Sequence, residues 1–132
     1  MMTTRNGKQS GQALTELPII MGLFAMLTFG ILDAGRLIYN YAAVSFSARE
    51  GVRWAIVRGA QSGRTASADD ISNYVKSMSM GVPVNVAVAW NPDNQAGSAV
   101  VVTVQNDFSA LTGFFVPTSM KLTSSSQMII SR

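Results

Sequence analysis

The sequence contains no cysteine and no histidine. The first absence excludes disulfides, thiol nucleophiles and thiolate metal sites; the second removes the commonest general base and the commonest transition-metal ligand. Charge is scarce too: Asp, Glu, Lys and Arg together make up 13% of the residues, against about 25% in an ordinary soluble domain. A deficit of that size implies surface that faces lipid or other subunits. The net charge of +3 is thinly spread. Its densest stretch, Arg36, Arg49, Arg53 and Arg58, is set among apolar residues, whereas nucleic-acid binding favours basic residues gathered on a polar face. No nucleic-acid partner is therefore expected. There is no phosphate-binding glycine loop, and no enzyme active site, cofactor or metal is expected.

What is present is apolar length near the N-terminus. Residues 1–10 are polar, with Arg5 and Lys8 basic and no acid among them. From Leu17 to Leu32 the chain reads LPIIMGLFAMLTFGIL, sixteen residues without a charge. A membrane-crossing helix needs about 20 apolar residues, so this run reaches span length only by drawing in its flanks, with Glu16 on one side or Asp33 and Arg36 on the other. A secretory signal peptide would end at a small-residue cleavage site, and Leu32-Asp33 offers none. A buried soluble helix would carry a polar stripe, and this run has none. A plain uncleaved single-pass anchor, whose outer head binds a partner protein, fits nearly every feature of this segment.

Glu16 is the residue that such an anchor leaves unexplained, because a carboxylate at the membrane's edge is costly and points to function. It stands five residues after Gly11, between a short basic leader and the uncharged run. Ser10-Gly11-Gln12-Ala13-Leu14-Thr15-Glu16-Leu17 resembles the processing site of type IV pilin-like proteins. The resemblance implies that a prepilin-type peptidase cuts after Gly11, that Gln12 becomes the new N-terminus, and that Glu16 sets the register of one subunit on the next. The uncleaved anchor stays the alternative. The spacing has a physical sense: an α-amino cation at Gln12 and a carboxylate at Glu16 lie one helical turn apart, and neither is tolerated unpaired in an apolar setting.

Beyond the run, Asp33 and Arg36 are spaced to pair on one helix face. An apolar stripe then continues through Leu37, Tyr41, Val44, Ala48, Val52 and Ala55 at helical spacing, and Gly59 to Gly63 supplies a stop. Residues 12–58 thus predict one helix of 47 residues, roughly 70 Å long at the α-helical rise, transmembrane first and amphipathic after. Pro18, Gly22, Gly30 and Gly35 are places where it can bend. The motifs Asp33-Ala34-Gly35-Arg36 and Ala48-Arg49-Glu50-Gly51-Val52-Arg53 resemble the TadE-like branch of minor pilins (pseudopilins) of tight-adherence pilus systems. That resemblance covers Gly11 to about Arg58 and only loosely the remainder. It implies a bacterial cytoplasmic-membrane protein with its N-terminus inside and its head outside, with incorporation into a surface pilus as a further step. The implied partners are other pilin-like subunits, membrane lipid, the peptidase, and, indirectly, an inner-membrane assembly platform and its motor ATPase.

The remaining residues 59–132 read as an extracytoplasmic α+β head, and residues 1–11 as the leader. Ser67 with Asp69 and Asp70 marks a helix start, running to about Met80 and ended by Gly81 and Pro83. The paired acids suit the helix dipole better than catalysis. A Lys76–Ser77 dyad is disfavoured because adjacent helical residues point apart. Val84–Trp90 and Ala99–Asn106 read as a hairpin around the Asn91–Ser98 turn, whose Asn91, Asp93 and Asn94 lack the spacing of a calcium loop. Met120–Ile130 reads as a third strand. Phe114-Phe115-Val116-Pro117 is either a core plug or a subunit-contact patch, and core packing is the commoner fate of such a cluster. The expected fold is therefore pilin-like α+β: a long N-terminal helix, one short helix and a three-stranded antiparallel sheet.

Overall fold

The computed structural model describes residues 9–131, apart from the side chains of residues 9, 10, 12 and 13. The elements follow in the order α1 (Gln9–Ile56), α2 (Ala68–Met78), β1 (Asn85–Asn91), β2 (Ala99–Ser109) and β3 (Ser119–Ile129). The fold is α+β, with the long apolar helix first and the small antiparallel sheet last.

Helix α1 has 48 residues and carries Pro18 inside it. It starts at Gln9, ahead of the expected Gln12, and ends at Ile56, two residues short of the expected Arg58. The early end has a local cause. The Arg58 N–H bonds the Ala55 carbonyl in a tighter turn. The Arg58 guanidinium lies 4.0 Å from the Trp54 ring centroid and donates to the Trp54 carbonyl at 3.1 Å. A cation at a helix C-terminus is favoured by the helix dipole.

The two halves of α1 differ in what surrounds them. Its most apolar 18-residue window has a mean hydropathy of 2.0, yet only 6% of it is buried within the chain. The second half presents Ala43, Val44, Ser47, Ala48, Gly51, Val52 and Ala55, all buried. Small residues there let the helix approach the sheet closely. At Gly51 an added Cβ would overlap the Val75 side chain of α2 and lie 3.3 Å from Val102 of β2. The upper end of the expected stripe departs from it: Tyr41 is 56% exposed, and full burial within the stripe starts at Val44.

The sheet runs β1-β2-β3 with both pairings antiparallel; Val102 is the register partner of Val88 on one side and Ser126 on the other. Central β2 alternates, sending Val100, Val102, Val104, Asn106 and Phe108 inward. Each fully buried valine contributes about 1.5–3 kcal/mol. Ile71 and Val75 of α2, with Val82, Val84, Leu122 and Ile130, complete the buried apolar set. The Asn106 side chain is the polar member of that row. It donates to the Pro83 carbonyl at 2.8 Å and accepts from Asn40 of α1 at 3.3 Å, which is what burial of an amide requires.

Helix α2 begins with a capping box, the Ser67 hydroxyl accepting from the Asp70 N–H and the Asp70 carboxylate accepting from the Ser67 N–H. The Asp93 carboxylate is taken up within its own turn by the Gln95 N–H at 3.0 Å and the Ser98 hydroxyl at 2.6 Å. These donors hold the carboxyls of Asp70 and Asp93 below the usual range, the Ser67 N–H being the main cause for the first and the Ser98 hydroxyl for the second. The Ser77 hydroxyl donates back to the Tyr74 carbonyl of its own helix.

Of the two readings of the Phe114–Pro117 cluster, the core plug is corrected. The core plug is Phe108, 1% exposed, while Phe114 and Phe115 are 61% and 60% exposed. The valine and alanine faces of the sheet and α1 already fill the space between them. The β2–β3 loop instead leaves the end of the sheet and follows α1 toward its apolar half.

Candidate functional site

The residues singled out in the sequence fall at two levels of α1. At the first level, residues 1–8 of the leader and the Gln12 side chain lie outside the described residues. Gly11 is an exposed position within α1, and an added Cβ there would meet nothing within 4 Å. Glu16 is exposed on the same helix. Among the described residues no packing accounts for a glycine at position 11, where a helical glycine is less favourable than alanine by about 1 kcal/mol.

At the second level, about five turns along, Asp33 is buried, its side chain 2% exposed. The sequence offers Arg36 as its partner, and the two do approach, with Arg36 Nη1 3.7 Å from Asp33 Oδ1. That separation is long for a hydrogen bond, and pairs of this kind contribute little. The stronger contacts come from the β2–β3 loop. The Leu111 N–H donates to Oδ1 at 2.7 Å, and the Thr112 N–H and hydroxyl donate to Oδ2 at 3.1 and 2.9 Å. Arg36 turns toward the head, its Nη1 donating to the Ser109 carbonyl at 3.4 Å and its guanidinium lying 5.7 Å from the Phe108 ring centroid.

The same loop touches the uncharged run itself. Phe115 lies over Gly30, where an added Cβ would come 2.5 Å from a ring carbon. Leu27, Ile31 and Ala34 join them around a wholly apolar hollow. Gly30 thus leaves room for the ring, a role that a helix-bending reading of this glycine misses. Among the described residues no group of three or more acidic side chains converges to hold a metal ion. The arrangement can anchor, orient and pack.

Nothing local in the sequence pairs Asp33 with Leu111 and Thr112, because 78 and 79 residues separate them. The available signal is composition: thirteen residues from Phe108 to Met120, spanning the loop and the adjoining strand ends, carry no charge.

Residues 11–53 match the family model described as TadE-like protein, which is 43 of the 132 residues. The matched stretch runs from the glycine of the first level through the helix to Arg53, and includes Glu16, Asp33, Arg36 and Gly51. No curated protein and no solved structure matches the chain.

Proposed function

We propose that the chain, which matches the TadE-like model over residues 11–53 and carries one helix long and apolar enough to cross a membrane, is a pilus-associated membrane protein anchored by α1 and serves as a minor pilin-like subunit, cut after Gly11 by a prepilin-type peptidase. The observation that carries this reading is the division of α1. One continuous helix leaves its apolar first half almost wholly uncovered and builds the head's core with its second half. A first half of that kind suits packing against lipid before assembly and against other subunits after it.

Two further observations support the reading. Among the described residues Gly11 packs against nothing, which fits a glycine required by an enzyme that reads the segment. Glu16 is exposed at a place where an apolar environment makes a carboxylate expensive. In the proposed role Glu16 meets the new α-amino group at Gln12 of a neighbouring subunit and favours one axial register. The N-terminus lies inside and the head outside. The role is structural and non-enzymatic, with extraction from the membrane driven by the motor of the assembly platform.

The test is intact mass of the membrane-extracted protein from cells with and without a prepilin-type peptidase. A mature chain starting at Gln12, present only with the peptidase, is the expected result. Retention of residues 1–11 in both strains would leave an uncleaved anchor and remove the assembly mechanism.

A further inference from the structure

We propose that the β2–β3 loop is a lipid-binding collar: it seals Asp33 against α1 and sets Leu111, Phe114 and Phe115 into the outer leaflet of the bilayer beside the helix. The inference rests on membrane anchoring of α1 and is independent of cleavage or pilus assembly.

Depth along the helix leads to this partner. The uncharged run ends at Leu32, about four residues short of a full span. Taking Glu16 as the inner edge, roughly 30 Å of hydrocarbon at 1.5 Å per residue reaches Arg36. Gly30, against which Phe115 packs, lies inside that interval, and so does Asp33. A bare carboxylate there is strongly disfavoured. The loop removes it from its surroundings with three donors, leaving its side chain 2% exposed.

What the loop then turns outward is apolar. Leu111, Phe114 and Phe115 are each about 60% exposed, in a segment without a charge between Asp107 and Lys121. This surface is continuous with the exposed apolar half of α1 through the hollow between Phe115 and Leu27. Loop backbone at this depth is tolerated where its polar groups are satisfied by protein, and Asp33 accepts from the Leu111 and Thr112 N–H groups. Arg36, 44% exposed, stands at the level of the lipid headgroups, where arginine is favoured. The loop therefore lengthens the apolar section of a span that is short in sequence.

Because the chain lacks cysteine, single cysteines report position cleanly. Full-length protein carrying Phe114→Cys, Ile31→Cys or Ala96→Cys is nitroxide-labelled and reconstituted in phosphatidylethanolamine/phosphatidylglycerol vesicles. Collision with oxygen, which partitions into lipid, is compared with collision with a water-soluble nickel chelate. The expected oxygen-to-nickel ratio at 114 is at least about fivefold that at 96, in the β1–β2 turn, and within about twofold of that at 31. A ratio at 114 equal to that at 96, with 31 in lipid, overturns the collar. So does shielding from both reagents at 114 that is relieved by lowering the protein-to-lipid ratio, which would mean that a second copy covers the loop. A water-like ratio at 31 removes membrane anchoring and the collar together.

Discussion

The Asp33 carboxylate is bound by Thr112 through both the backbone N–H and the hydroxyl, at 3.1 and 2.9 Å, across 79 residues of sequence. With the Leu111 N–H at 2.7 Å, this contact ties the β2–β3 loop to the anchor helix. Replacing Asp33 by alanine is expected to free the loop and leave the sheet intact. Amide exchange at Leu111 and Thr112 should quicken by about tenfold or more, while Val102, in the middle of β2, keeps its rate. Unchanged exchange at Leu111 and Thr112 would show that the loop is held by its other contacts alone.

Two glycines of α1 should respond oppositely to the same change. At Gly51 a methyl would meet Val75 and Val102 inside a filled core, and overpacking of this kind costs about 1–3 kcal/mol. Gly51→Ala should therefore lower the denaturation midpoint, with part of the loss recovered in the double variant with Val75→Ala. At Gly30 the methyl would meet the Phe115 ring, which is exposed and can swing aside. The helix propensity gained on replacing glycine, about 1 kcal/mol, offsets that contact, and Gly30→Ala should leave the midpoint within about 0.5 kcal/mol of wild type. An equal loss at both positions would refute the assignment of Phe115 to an accessible surface.

Acid should act on the head through Asp70 and Asp93. Both carboxyls are held below their usual range by hydrogen bonds in the folded protein. The stabilisation they give is present above the unfolded carboxylate pKa and is lost as pH falls through the lowered folded values, so stability should decline below about pH 4. Chemical denaturation between pH 5 and pH 2 should show a shallower decline in Asp70→Asn and in Asp93→Asn than in wild type. A decline of unchanged slope in both would place the acid sensitivity elsewhere.

Glu16 should separate processing from assembly. Glu16→Gln is expected to be cut after Gly11 as wild type is, since the cut site keeps its residues, and to be lost from sheared surface fibres by at least about tenfold. That loss follows from leaving an ammonium at Gln12 without its carboxylate in an apolar bundle. Wild-type incorporation of this variant would end the register role.

The elements are legible because each is written locally. The sixteen uncharged residues, the apolar stripe from Leu37 to Ala55, the Ser67–Asp70 cap and the alternating valines of β2 all declare themselves within one or two turns of chain. The site is only half legible. Gly51 is visible as part of a family motif, but its purpose, clearance for Val75, needs two helices in place. Pattern reasoning pairs Asp33 with Arg36 because it reaches only neighbours three and four residues away. The principal donors to Asp33 come from the β2–β3 loop, 78 and 79 residues away. Hydrophobicity alone leaves Phe114 and Phe115 between a core plug and a contact patch and favours the core, by a rule that holds for aqueous surroundings.

That α1 passes from its exposed apolar half into the core without a break makes the head a lever. From Leu32 to Ile56 is roughly 36 Å of rigid rod at the helical rise. With the helix continuous from bilayer to sheet, a tilt of about 20°, ordinary for a single span, carries the far end sideways by roughly 12 Å. Bilayer thickness, which sets tilt, would in this way set where the outer surface of the head is presented.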